Sequence, residues 1–177
     1  MKKTVLIIVL FFLVTAGVFA QFADFNIDRR TVIDQEDFFC YVTFHAYGPG
    51  TITPSGKPST FGHVFVEFSI FRPFGTYYSE LRGMNRAEVL LNPFDWGGLQ
   101  AEEYEILFLS ERSLAVCVDT VVWERALDVI PRDWYFLWIN DCVSYAASVA
   151  RIIGLDAPLG ESYRPMTFID NLIRRNH

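Results

Sequence analysis

Cysteine, histidine and clustered basic charge are all scarce in this chain. Its 177 residues hold three cysteines and three histidines, with 15 Lys and Arg against 21 Asp and Glu for a net charge of -6. The basic residues form no run, so the sequence lacks the concentrated cations that a nucleic-acid backbone requires, and no nucleic-acid partner is expected. Zinc is disfavoured because the Cys and His residues follow no recognised ligand spacing and lack a dependable fourth ligand, so neither a metal nor another cofactor is expected. Internal repeats and low-complexity segments are absent too.

The N-terminus is different in character. Lys2 and Lys3 precede the apolar run TVLIIVLFFLVTAGV, and Val18 and Ala20 satisfy the small-residue rule for cleavage before Gln21. Residues 1–20 therefore read as a signal peptide cleaved after Ala20, with a membrane anchor as the alternative reading of the same run. Cleavage would leave 157 residues (177 less 20), enough for a single domain, 21–177, with its own core, and loss of Lys2 and Lys3 would take the charge from -6 to -8. The expected location is secreted or periplasmic, with no stable membrane insertion after cleavage.

Export permits disulfides, yet only Cys40, Cys117 and Cys142 are available. An odd number leaves at least one thiol free. Cys40 and Cys117 are expected to be paired or separately buried, with Cys142 free.

Aromatic residues make up 16% of the chain, which suits a β-rich core and a pocket with aromatic walls. Residues 38–49 (DFFCYVTFHAYG) read as a strand ending at Gly-Pro-Gly, and TITPSGKPST as a loop. GHVFVEFSIF (62–71) alternates most clearly: Val64, Val66, Phe68 and Ile70 share one face, and His63, Phe65, Glu67 and Ser69 the other. Further strands are expected at 75–81 and 104–110, separated by a surface loop, NPFDWGG, that presents Phe94 and Trp96. Ser110 as cap and the spacing of Leu114, Cys117, Val118, Val121 and Val122 predict a helix over 111–128. A second helix is expected to follow Asn140 or Asp141, burying Cys142, Ala146, Val149, Ala150 and Ile153 and stopping at Gly154. A last one, TFIDNLIRR, has Thr167 as candidate cap.

Cys142 draws attention by its position. Unpaired N–H groups and the positive dipole end at the first turn of a helix favour the nucleophilic thiolate, although a small apolar residue on the buried stripe would look the same in sequence. Thiol chemistry needs a base, normally histidine. His177 is terminal, His45 lies late in its strand, and His63 opens a strand directly after Gly62, where a substrate has room to approach.

A histidine strand GHVFVEF, then YFLWINDCVSYA opening a helix, then a proline and a TFIDNL helix resembles the circularly permuted papain-like hydrolases, the relatives of lecithin-retinol acyltransferases and bacterial cell-wall amidases. The resemblance spans residues 38–172 and rests on the order of short motifs. It implies an α+β fold of permuted papain-like topology, an antiparallel sheet packed against helices. It implies Cys142 as nucleophile, His63 as general base, and the Cys142 backbone N–H as part of an oxyanion hole. The third residue of such a site is expected on the strand after the histidine, where Tyr78 and Ser79 stand, with His45 on the preceding strand as fallback. The chain departs from the family at Asp141, where Asn is usual: a carboxylate beside the thiol opposes its ionisation unless it is occupied as the cap.

The resulting expectation is a secreted cysteine hydrolase working through an acyl-enzyme on a cell-wall peptide amide, or next on a lipid acyl ester. The competing expectation is a secreted domain without catalysis that keeps the fold and holds a ligand with the aromatic loops around Phe94 and Trp96.

Overall fold

The structure is a computed structural model and describes residues 23–31, 39–71, 77–86, 94–131, 134–136, 139–158 and 164–177. The expected signal segment lies outside these. Among the described residues no helix is long and apolar enough to cross a membrane.

The architecture is α+β. Among the described residues seven strands run β1 (Phe25–Asp28), β2 (Phe39–Tyr47), β3 (His63–Phe71), β4 (Tyr77–Arg86), β5 (Phe94–Ala101), β6 (Arg112–Val118) and β7 (Trp134–Phe136). Their order across the sheet is β1-β6-β2-β3-β4-β5-β7. Every described pairing is antiparallel except β1 with β6, which is parallel, so the expected antiparallel sheet acquires one parallel edge. The helices are α1 (Thr120–Leu127), α2 (Cys142–Ile152) and α3 (Pro165–Asn176), with a 3₁₀ helix at Tyr104–Leu109.

Alternation along β2, β3 and β6 separates two faces of the sheet. Val42, Phe44, Val64, Val66, Phe68, Leu114 and Val116 are buried in one core with Ala146, Val149 and Ala150 of α2 and Phe168, Ile169 and Leu172 of α3. Full burial of each Val, Leu, Ile or Phe side chain among them contributes about 1.5–3 kcal/mol, so this face anchors the helices. The opposite face is mixed. Tyr47, Phe65 and Leu81 pack there with Ile106 of the 3₁₀ helix, beside His45, Glu67 and Ser69.

Four expectations are corrected. The strand expected over 104–110 is instead the 3₁₀ helix Tyr104–Leu109, which turns Ile106 down onto Tyr47 and Phe65 while Phe108 faces solvent. The segment expected as one helix over 111–128 divides into β6 and α1. Leu114, Val116 and Val118 alternate into the core between β1 and β2, and the apparent helical spacing joined the end of a strand to the start of a helix. Ser110 is therefore not an N-cap but the C-cap of the 3₁₀ helix, its N–H donating to Leu107 O at 3.1 Å, and Asp119 occupies the N-cap position of α1. NPFDWGG is not a presenting loop from Phe94 onward: those residues enter β5, paired with β4 and β7, because backbone pairing overrides local turn chemistry. Finally, α3 starts at Pro165 with Arg164 at the N-cap position, so Thr167 lies inside the helix; proline at the first helical position is favoured because its missing N–H costs nothing there.

Candidate functional site

The α2 N-terminus is built by its own sequence. The Asp141 side chain accepts from Ser144 N at 2.9 Å, and Asp141 N donates back to Ser144 Oγ at 2.7 Å, a complete capping box. Asp141 is therefore engaged as the cap. Cys142 follows as the first helical residue and is buried, and the first-turn N–H groups of Cys142 and Val143 have by position no partner within the helix.

His63 is the first residue of β3, across from Tyr47 of β2. Gly62 precedes it with φ of +82°, and a Cβ there would sit 2.3 Å from Tyr47 O, so only glycine makes the approach. The buried His63 ring stands close enough to the Cys142 side chain for hydrogen bonding and charge to act on the ring's titration. On its other side Nε2 meets Glu102 Oε1 at 2.9 Å. With Nε2 given to the carboxylate, Nδ1 is the nitrogen available to the sulfur.

Glu102 directly follows β5, where its N–H donates to Leu81 O of β4 at 2.9 Å. Asn85 Nδ2 donates to the same Oε1 at 2.6 Å, fixing the carboxylate from β4. This arrangement needs a bare backbone beneath it. A Cβ on Gly83 would fall 1.9 Å from Glu102 Oε1 and 2.7 Å from His63 Nε2.

The electrostatics follow from burial and proximity. Burial opposes a charged His63, but the hydrogen bonds and negative charge of Cys142 and Glu102 outweigh it, and the ring's pKa is pushed up to about 10. Burial likewise opposes ionised Glu102, yet the hydrogen bond and charge of His63, with the Asn85 amide, hold it below the usual carboxylate range. Tyr47, with its ring centroid 5.8 Å from that of His63, is pushed up to about 12 by burial and by the nearby charges of Glu102 and Cys142. A sulfur, an imidazole and a carboxylate are thus grouped together, with the imidazole close enough to the sulfur to exchange a proton with it.

The structure brings Cys142 and His63 together and replaces all three candidates for the third position. Tyr78 OH donates to Glu80 at 2.6 Å, and Ser79 Oγ donates to Glu67 at 2.8 Å, both away from His63. His45 shares a face with His63, but Phe65 stacks between them, its ring 5.0 Å from His45 and 6.2 Å from His63. Glu102 takes the place instead. Sequence reasoning missed it because it lies one strand further on than expected, inside AEEYE, where nothing local separates it from Glu103 or Glu105. The hint was NxxxxxxxxxxxGGLQAE with Gly83 two positions before Asn85, legible only once β4 and β5 are in register.

Cys40, Cys117 and Cys142 are all buried, and none of them forms a disulfide. Pairing of the first two is ruled out by the sheet: Cys40 lies opposite Val118 and Cys117 opposite Tyr41, which sets the two thiols on opposite faces. Burial pushes the Cys117 thiol up to about 11, leaving it the character of a core residue.

No protein-family model matches the chain, and no curated protein or solved structure matches it.

Proposed function

We propose that the protein is an exported thiol hydrolase or acyltransferase of permuted papain-like topology, with Cys142 as nucleophile, His63 as base and Glu102 as the residue that orients the ring. The observation carrying this reading is the grouping of Cys142, His63 and Glu102, with Cys142 buried at the start of a capped helix and the bare backbone of Gly83 leaving room beside His63 and Glu102. Fold class alone would not suffice, since function lies in the site.

The chemistry runs as follows. The Cys142 thiolate attacks the carbonyl carbon of an amide or ester, and the oxyanion so formed takes hydrogen bonds from the Cys142 and Val143 N–H groups. The C–N or C–O bond breaks as the His63 imidazolium gives its proton to the leaving amine or alcohol, leaving a thioester on Cys142. Water, or an acceptor alcohol or amine in a transferase, then attacks while His63 takes its proton. The thiolate leaves, and the His63 proton restores the ion pair. Glu102 holds the ring in one tautomer throughout, with Asn85 holding Glu102.

A cell-wall peptide amide fits the exported location that residues 1–20 imply, and a lipid acyl ester is next. The test presents peptidoglycan fragments and short acyl esters to the protein and follows Cys142 by intact mass. A thioester adduct that builds up with one substrate class and is lost in Cys142→Ala supports the reading. Turnover that survives Cys142→Ala would end it.

A further inference from the structure

A second feature lies on the same sheet face beyond Phe65, and the thiol chemistry makes no use of it. It is a cavity of about 570 Å³, within the 300–1,000 Å³ range of small-molecule sites. Its walls are aromatic and aliphatic: Phe39, Tyr41, Phe71, Tyr104, Leu107 and Phe108. Phe108 is 87% exposed and Tyr104 52%, so the 3₁₀ helix lifts two apolar side chains to the mouth instead of burying them. Polar groups from adjacent strands also line the cavity: Thr43, His45 and Ser69 are buried, and Glu67 stands between them.

The polar groups are held in a fixed array. His45 Nε2 meets Glu67 Oε2 at 3.3 Å, Ser79 Oγ donates to Glu67 Oε1 at 2.8 Å, and His45 Nδ1 meets Ser110 Oγ at 3.3 Å. With the Nε2 proton given to Glu67, Nδ1 is left as an acceptor for the Ser110 hydroxyl, which also lies 3.1 Å from Arg112 O. The array suits recognition.

Charge then selects the ligand. Among the described residues no Lys or Arg lines the cavity and Glu67 is its one carboxylate; Arg30, 4.9 Å over the Phe39 ring, is already paired with Asp28, so an anionic head would meet repulsion with no unpaired cation lining the cavity to offset it. The Glu67 carboxylate already accepts from His45 and Ser79, which lowers the gain from a cationic head. Hydroxyls and an imidazole beneath an apolar shaft match a head that both donates and accepts hydrogen bonds. We propose that this cavity binds an uncharged amphiphile, an apolar chain or ring of moderate size carrying an alcohol or carboxamide head. The proposal is independent of catalysis at Cys142.

The experiment follows the fluorescence of N-phenyl-1-naphthylamine, a neutral probe, titrated with the purified full chain. Saturable one-site binding is expected, with mono-octanoylglycerol displacing the probe at least about ten-fold better than octanoate or octylamine. Phe108→Ala, at an exposed position that leaves the core untouched, is expected to weaken the probe about ten-fold. Ala115→Leu, which fills the cavity from β6, is expected to abolish binding while circular dichroism reports an unchanged fold. Cys142→Ala is expected to bind as the parent does. Absence of saturable binding, binding indifferent to both cavity variants, or loss of binding in Cys142→Ala would overturn the site. Equal or better displacement by octanoate or octylamine would overturn the ligand class.

Discussion

Glu102→Gln is the sharpest test of the candidate site, because it removes one charge and keeps the shape and a hydrogen-bond acceptor beside His63. Glu102 Oε1 lies 2.9 Å from Nε2, and its side chain is only 11% exposed, so solvent screens the pair poorly. With charge centres about 4 Å apart and an effective dielectric of about 20, the attraction is about 4 kcal/mol. At 1.36 kcal/mol per pH unit that corresponds to about three units of the imidazole titration. Cys142 supplies part of the rise to about 10 and survives the change, so the His63 pKa is expected to fall by about one to three pH units in Glu102→Gln. The assay is an NMR titration of the His63 ring carbons and nitrogens in parent, Glu102→Gln and Cys142→Ala proteins. The sign carries over to stability. Because the folded His63 pKa lies above its ordinary 6.5, its contribution is fully present below pH 6.5 and is lost as pH rises through about 10. The thermal midpoint of the parent should therefore decline over that window more than that of Glu102→Gln. A His63 that titrates near 6.5 in the parent, or titrates identically in parent and Glu102→Gln, would refute the electrostatic account.

Three further outcomes are expected. A small electrophile such as iodoacetamide at pH 6 should label Cys142 well before Cys117, whose thiol burial pushes up to about 11, and His63→Ala should remove that preference; peptide mapping of the alkylated protein decides it. Gly83→Ala should displace the Glu102 carboxylate, because the new Cβ would fall 1.9 Å from Oε1, costing about 1–3 kcal/mol in chemical denaturation and moving the His63 titration in the direction of Glu102→Gln. Asp141→Ala should destabilise the protein by about 1 kcal/mol through loss of the capping box, whereas Asp141→Asn, still an N-cap, should retain most of the stability in the same denaturation assay.

Where one element carries both its pattern and its purpose, the sequence alone was enough. β3 alternates so strictly that its faces could be assigned from the string, and α2 announces itself through Asn140 or Asp141 as cap and the stripe from Cys142 to Ile153, so the nucleophile and histidine candidates were both legible. Capping and periodicity are local physics, complete within a dozen residues. Residues 104–118 were not legible, because their apolar spacing satisfies a helix and a strand equally, and the vacancy between β1 and β2 decided for β6. Glu102 was hidden for the same kind of reason. Its neighbours in the chain are other acidic residues, and what distinguishes it is Leu81 O holding its N–H, Asn85 gripping its oxygen and Gly83 clearing the space below. Those are relations between strands, set by register, and a one-residue slip would have turned a different side chain toward His63. The chain thus declares a thiol and an imidazole by itself, while the carboxylate that aligns them exists only once β4 and β5 have paired.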